Sequence, residues 1–260
     1  MTGSSRGIGR GIALKLAAEG VDVAVHYRSN EKAAEQTLEA IRAAGSDGTL
    51  IQGDVSDPTA MQRIVDGAAA ALGGLDVFVS NARPELPDFF APPAQLTLAQ
   101  WDCALDTQAK AFLVGARAAA AHMGEGGRIL AVTYATGSRT GGLQPWVAMG
   151  AAKAALEAAV RYLAVAFAGQ GVTVNALSPA WTEDSVLSTL PPEAQALIRG
   201  WHESGWTPMR RLTQPADVGN AAALLVTDEA GFITGQVLTV DGGASLMNAE
   251  VPPELQLTGA

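Results

Sequence analysis

Thr2-Gly3-Ser4-Ser5-Arg6-Gly7-Ile8-Gly9 is the stretch of this sequence with the most direct chemical meaning. Gly3, Gly7 and Gly9 stand just before a run with helical apolar spacing. Glycines in such a place permit a tight turn and let backbone amides, with the positive end of the helix behind them, approach a phosphate. Taken alone, the same turn serves equally as a helix cap. Ser5 and Ile8 lie within it, and Arg6 adds a positive charge. A second signal is Lys153, a cation set among small apolar residues in Gly150-Ala151-Ala152-Lys153-Ala154-Ala155. An ordinary solvated face accounts poorly for that setting.

These groups need a scaffold. Over residues 8–19 the apolar spacing is helical and stops at Gly20, after which 21–25 alternates as a strand. The order recurs, with a helix near 31–44 ending at Gly45, a strand at 49–52, a helix near 58–72 and a strand at 75–79. A long helix over 97–123, a strand at 128–133, a helix near 147–168 and a strand at 172–177 follow, and a helix near 215–226 and a strand at 236–240 close the series. Helices alternating with short, nearly all-apolar strands predict an α/β fold, a doubly wound Rossmann-type domain whose parallel sheet is covered on both faces. One domain over 1–260 is expected, with loops at 84–93 and 189–192 over the carboxyl edge of the sheet and a substrate lid at about 183–213.

With 48% hydrophobic and 17% charged residues, the chain can bury a sizeable core and is not disordered in composition. A formal net charge of -9 without any basic block argues against a nucleic-acid partner. The single cysteine, Cys103, allows neither an internal disulfide nor a multi-cysteine metal site; it reads as a small core hydrophobe in a reducing compartment, and no metal is expected. No apolar run approaches the roughly 20 residues that span a bilayer. The N-terminal residues lack the pattern of a signal peptide, so a cytoplasmic location with no membrane partner is expected.

The glycine turn, Gly53-Asp54-Val55, Ser80-Asn81-Ala82, Lys153, Val174-Asn175-Ala176-Leu177-Ser178-Pro179 and Val240-Asp241-Gly242-Gly243 occur in the order seen in short-chain dehydrogenases/reductases. The chain resembles that family over nearly its whole length. The resemblance implies a nicotinamide cofactor and says little about substrate. It implies that Asp54 and Val55 hold the adenine, that Asn81, Ala82, Arg83, Thr133 and Pro179 line the cofactor, that Lys153 bonds the nicotinamide ribose, and that Thr182 contacts the carboxamide. For Asp54 the alternative is a carboxylate that caps a turn. Preference for NAD calls for an acid after the second strand, but His26-Tyr27-Arg28-Ser29 stands there. Arg6 and Arg28, with Ser29, suit a 2′-phosphate instead, so NADPH is the expected cofactor.

The catalytic centre departs from the family pattern. A tyrosine is expected four residues before the lysine (Y-x3-K) or, in enoyl-acyl-carrier-protein reductases, seven before it (Y-x6-K); those positions hold Met149 and Trp146. A thioether has no proton to give, and an indole N–H donates a hydrogen bond without acting as an acid near neutral pH. Residues 147–164 resemble the enoyl reductases more than the oxoacyl reductases, which puts Trp146 in the tyrosine's place. Gln108 replaces an active-site asparagine, Arg83 the glycine of the NAG motif, and Ala180 the glycine after Pro179. Tyr134 matches a second tyrosine of similar enoyl reductases and so points at substrate, or is an aromatic beneath a loop; Thr136 matches the active-site serine only in the Y-x3-K register. Tyr162 is expected to pack within its helix.

Reducing a ketone leaves an alkoxide that needs a positioned acid, whereas hydride addition to an enoyl thioester makes an enolate that a hydrogen bond can hold until water protonates it. The expected activity is therefore NADPH-dependent reduction of an enoyl thioester on CoA or acyl carrier protein, with Lys153, Tyr134, Trp146 and Gln108 in the catalytic set. The rivals are a ketone reductase using Tyr134 or a water relay, and an NADP-binding pseudoenzyme or partner subunit. Family likeness also implies a homotetramer built through the alanine-rich faces at 109–121 and 151–168.

One element is missing from the pattern. Met1-Thr2-Gly3 opens straight into the turn, where a hydrophobic strand normally feeds it. That strand would be central, and its absence exposes unpaired backbone groups on two neighbours at roughly 1 to 3 kcal/mol each. The expectations are a chain that starts further upstream, or another segment in the slot, the tail at 255–260 being the candidate, with poor solubility or weak folding as the sequence stands.

Overall fold

Parallel strands need a helical return between them, and this chain supplies one at each step. The computed structural model describes residues 1–134, 144–247 and 250–257. In chain order the elements are α1 (Gly7–Ala18), β1 (Val23–Tyr27), α2 (Glu31–Ala43), β2 (Gly48–Gln52), α3 (Pro58–Leu72), β3 (Val77–Ser80), α4 (Leu98–Leu105) and α5 (Ala111–His122). Then come β4 (Arg128–Val132), α6 (Val147–Phe167), β5 (Thr173–Pro179), α7 (Pro192–Trp201), α8 (Pro215–Leu225), β6 (Val237–Val240) and α9 (Pro253–Gln256). The helices start where the sequence stops them from starting earlier. Asn30 accepts a bond from the Ala33 amide, Asp57 accepts from Thr59 and Ala60 ahead of Pro58, and Thr97 and Gln100 form a reciprocal capping box.

All strand pairs are parallel. β1 pairs with β2, and β3, β4, β5 and β6 pair in that order, with Val77↔Arg128, Arg128↔Thr173 and Ala176↔Val237 setting the registers. α3, α5 and α6 cover one face of the larger group through Met61, Phe78, Phe112, Ile129, Leu156 and Val174. α1 and α8 cover the other through Ile12, Leu16, Leu130, Leu177 and Val218, and α2 packs Leu38 and Ile41 on Val25 of β1. Both strands β4 and β5 are buried along their whole length; of the polar residues they carry, Asn175 of β5 is bonded inside the protein, donating to Ile233 O and accepting from Gln236 N. Among the described residues, no helix is long and apolar enough to cross a membrane.

Between β1 and β3 no described strand intervenes. The first residues close part of that seam: the Met1 amine donates to Ala24 O at 3.1 Å, Thr2 N to Val79 O at 2.9 Å, and Ser4 N to His26 O at 3.2 Å. Beneath them lies a cavity of about 50 Å³ bounded by Leu16, Val23, Ala24, Ile64, Ala68, Leu72 and Val77. The tail does not fill it, because Pro253–Gln256 is a helix whose Pro253 sits against Gly205; residues 258–260 lie outside the described residues.

Several expectations shift. The strand read at 21–25 runs two residues later, since Val21 N still closes the end of α1 on Leu16 O and pairing with β2 begins at Val23. The helix over 97–123 is interrupted by a wider π turn at Asp106–Lys110. The lid region holds α7, signalled by Pro192 at its first turn. Tyr162 is 80% exposed on α6 instead of packed, and Cys103 is half-buried.

Candidate active site

The carboxyl ends of the strands open into a cleft of about 1030 Å³, the position where open parallel sheets bind ligands. Gly3, Ser5, Arg6, Gly7, Ile8 and Gly9 form one wall. Gly3 and Gly7 have φ of 63° and 57°, and a Cβ would stand 2.9 Å from Ala82 Cα at Gly3 and 2.6 Å from Asp184 O at Gly7, so a side chain fits at neither. The first amides of α1 are uncapped by any side chain. That open, positive helix end behind a side-chain-free cradle suits the diphosphate of a dinucleotide.

Neighbouring side chains pin the turn. Asn81 Nδ2 donates to Gly3 O at 2.9 Å, Thr2 Oγ1 accepts from Asn81 N at 3.0 Å and Ala82 N at 3.2 Å, and Thr37 Oγ1 donates to Ser5 O at 3.0 Å. His26 is buried in β1; its Nε2 donates to Gly53 O at 3.1 Å while its Nδ1 accepts from Gly3 N at 2.9 Å, which assigns the neutral tautomer. Burial pushes its pKa down to about 4. Sequence reasoning missed this residue, for nothing in a lone histidine of a strand distinguishes it from core filling. Asp54 and Val55 line the cleft; burial alone would raise the Asp54 carboxyl, but bonds accepted from Ser56 N at 2.9 Å and Ser56 Oγ at 2.7 Å, with the charges of Arg28 and His26, together keep it below the usual range. Arg28 and Ser29 are exposed at the rim, and Arg6 pairs with Glu85 at 2.7 Å.

At the far end, Lys153 of α6 is buried and its Nζ donates to Val132 O at 2.6 Å. Burial, then the charge of Arg83, brings its pKa down to about 7 against the pull of Glu157. Glu157 accepts from Thr133 Oγ1 at 2.6 Å, so Thr133 spends its hydroxyl inside the protein. Tyr134 stands over Gly150, where a Cβ would lie 3.2 Å from its hydroxyl, and burial pushes its pKa up to about 12. Trp146 also faces the cleft, with Phe89, Trp181, Phe90 and Tyr134 at ring-centroid distances of 5.1, 5.9, 6.2 and 6.3 Å. Met149 forms wall beside it, and Gln108 lies behind that wall, donating from Nε2 to Met149 Sδ at 3.3 Å; its Oε1 has no partner among the described residues. Gln108, fully buried, is thus not part of the cleft surface.

Pro179, Ala180 and Thr182 close the cleft after β5, with Thr182 Oγ1 donating to Ala180 O at 2.9 Å. The lid contributes His202, whose Nδ1 meets Thr207 Oγ1 at 2.6 Å, and is tied down by the Arg199–Glu183 ion pair. Phe89, Trp181 and His202 were not singled out by sequence, since their loops carry no periodic pattern. Thr136 lies outside the described residues. The arrangement provides a phosphate cradle, a buried cation and two hydrogen-bond donors, Tyr134 and Trp146, around one space.

Comparison with known proteins agrees with this geometry. Residues 3–245 match the family model described as Enoyl-(Acyl carrier protein) reductase. The chain is 35% identical to the 1-cyclohexenylcarbonyl-CoA reductase of Streptomyces collinus, over 95% of this chain and 86% of that one. It is 32% identical to a 3-oxoacyl-[acyl-carrier-protein] reductase of Staphylococcus aureus, over 94% and 96% of the two chains. A short chain dehydrogenase from Burkholderia cenocepacia, solved in complex with NADP, superposes with a TM-score of 0.84 at 35% identity, covering 94% of this chain and 96% of that one. With a family match that spans the turn, the sheet and the lid, this chain belongs to the short-chain dehydrogenases/reductases, a family of oxidoreductases.

Proposed function

We propose that this chain is an NADPH-dependent reductase acting on the double bond of an enoyl thioester carried by CoA or acyl carrier protein. The observation that carries the reading is the pair Trp146 and Tyr134 beside buried Lys153, with no ready acid at either position expected for the family tyrosine. A Tyr134 hydroxyl pushed up to about 12 is a reluctant proton donor but a sound hydrogen-bond donor. Such a set stabilises an enolate oxygen better than it protonates an alkoxide. The cradle of Gly3, Gly7 and Gly9 and the open end of α1 hold the diphosphate, Arg28 and Ser29 take the 2′-phosphate with help from Arg6, and Asp54 and Val55 border the adenine. Asn81, Ala82, Arg83, Thr133, Pro179 and Thr182 border the nicotinamide half, with Lys153 on its ribose. When bound, NADPH supplies the hydride.

The lid at about 183–213 closes over the substrate of this one domain and excludes water. Leu113 on α5 and Tyr162 and Val165 on α6 are exposed at 41%, 80% and 80%, which suits burial of these helices between copies of the chain in a homotetramer. The relatives that act on acyl thioesters, the cyclohexenylcarbonyl-CoA and oxoacyl reductases, support the substrate class. Following NADPH consumption with crotonyl-CoA and acetoacetyl-CoA tests the reading. Turnover of the enoyl thioester is expected, raised further by Trp146→Tyr. Turnover of acetoacetyl-CoA alone would show a ketone reductase, and tight NADPH binding with neither reaction a pseudoenzyme.

A further inference from the structure

His202 follows α7 directly, opens the wider π turn His202–Trp206 of the lid, and lines the cleft while only 9% exposed. Its Nδ1 lies 2.6 Å from Thr207 Oγ1 in a buried contact. Burial pushes its pKa below the ordinary histidine value, which keeps the ring neutral near pH 7. A neutral ring carries one proton, and the Thr207 hydroxyl decides where it sits. Thr207 is 3% exposed, and among the described residues its hydroxyl has no acceptor other than Nδ1. A buried hydroxyl proton without an acceptor is costly, so Oγ1 donates to Nδ1 and the ring proton sits on Nε2. Nε2 itself has no partner among the described residues and is not sealed in the interior. The turn that carries it is backed by the tail: a Cβ on Gly205, at φ 118°, would lie 3.1 Å from Pro253 Cβ and 3.2 Å from Leu257 Cδ1. The lid thus presents to the cleft a braced N–H donor with no acceptor of its own.

The strand order separates this donor from the cofactor. A Cβ on Gly242, just after β6, would stand 2.8 Å from Thr207 Cγ2, so the His202–Thr207 pair rests beside the β6 edge of the sheet. Arg28 and Asp54, at the end proposed for the adenosine half, follow β1 and β2 on the other side, and Lys153 bonds Val132 at the end of β4 between them. A dinucleotide that runs from β2 to Lys153 leaves the β6 side of the cleft to the substrate. Tyr134 and Trp146 are the donors proposed for the thioester oxygen. We infer that His202 is a specificity-determining residue whose Nε2 donates a hydrogen bond to a second oxygen, further along the acyl chain. The ligand class is an enoyl thioester with a keto or hydroxyl oxygen on that chain, an inference that rests on the reductase reading above. An all-hydrocarbon chain packed against Nε2 leaves its N–H unpaired, and an oxygenated chain supplies the missing acceptor.

The test compares trans-2-octenoyl-CoA with its 5-oxo, 6-oxo and 7-oxo analogues in the wild-type protein and in His202→Asn, His202→Gln and His202→Phe. Asparagine keeps a polar group for Thr207 near the Nδ1 position and loses the donor in the cleft, glutamine carries an N–H donor to the Nε2 position, and phenylalanine has no polar atom. Melting curves show which variants fold, and His202→Phe carries the test where His202→Asn does not. Wild type is expected to favour at least one oxo analogue over trans-2-octenoyl-CoA in kcat/KM by about tenfold or more. His202→Asn should abolish that preference and His202→Gln retain part of it, with NADPH affinity changed less than about twofold throughout. A preference that survives in His202→Asn overturns the inference, and so does a wild type that favours no oxo analogue. A parallel loss on all the thioesters also overturns it, because a contact to the thioester or a disturbed lid would act on every substrate alike. If no thioester is turned over, the reductase reading has failed, and calorimetric titration of the same compounds into the NADPH-loaded protein still decides. Tighter binding of an oxo analogue that His202→Asn removes supports the donor, and equal binding of all of them, or of none, overturns it.

Discussion

The two ends of the seam between β1 and β3 are closed by opposite means. At the carboxyl end, Thr2, Ser4, His26 and Asn81 bind the glycine turn to both strands through hydrogen bonds of 2.9 to 3.2 Å. At the amino end mostly apolar side chains meet, around a cavity of about 50 Å³. Directional bonds fix a position, whereas apolar contact merely fills volume. The phosphate cradle is thus held through lateral bonds to its neighbours, and the cavity end bears on stability rather than on the cradle's geometry.

Acid should break the bonded end with the largest effect. His26 holds Gly3 only while Nδ1 is unprotonated, and its pKa falls from 6.5 to about 4 on folding. Between those values the unfolded chain binds more protons than the folded one. Stability is therefore fully present above about pH 6.5 and is lost as pH falls toward 4, by on the order of 3 kcal/mol. Thermal melts at pH 7.5 and pH 5 should diverge for wild type and converge for His26→Asn, which keeps an acceptor but does not titrate there. An equally steep acid loss in His26→Asn would detach the stitch from this histidine.

At the outer edge of the same turn, cofactor choice gives a smaller effect. Arg6 is held by Glu85, while Arg28 is exposed at the rim, so Arg28 is expected to contribute more to 2′-phosphate binding. Arg28→Ala should weaken NADPH about tenfold, or about 1.4 kcal/mol, and leave NADH nearly unchanged. Fluorescence titrations of both nucleotides measure this; a parallel loss for both would mean that Arg28 does not read the 2′-phosphate.

The sequence showed the cradle and the element order because both depend on local rules, glycine at positive φ and apolar periodicity. It also located Lys153, Tyr134 and Trp146 at one space, where the structure indeed brings them together. Nothing in the sequence signalled that Gln108 would sit within a π turn and behind Met149, to whose sulfur it donates. His26, Glu157 and the rings of Phe89 and Trp181 that pack on Trp146 were illegible for another reason: their roles come from partners 22 or more residues away.

The open end of the seam should respond in the opposite sense and least of all. Ala24 in β1 is buried against the cavity, and valine there adds two methyl groups to a site with room for roughly that volume. Valine also favours a strand, so no backbone preference opposes the change. Filling such a void is worth about 1 kcal/mol, a rise of roughly 2 to 4 °C in Tm for a chain of this size. NADPH affinity should stay the same, since none of the bonds to Gly3 or Ser5 is touched. Ala68→Val, from the α3 wall, should act in the same direction, though less, because valine is a poorer helix former. If both variants melt lower than wild type, the seam is already tightly packed at its amino end. The contrast between a bonded end and an open one would then be lost.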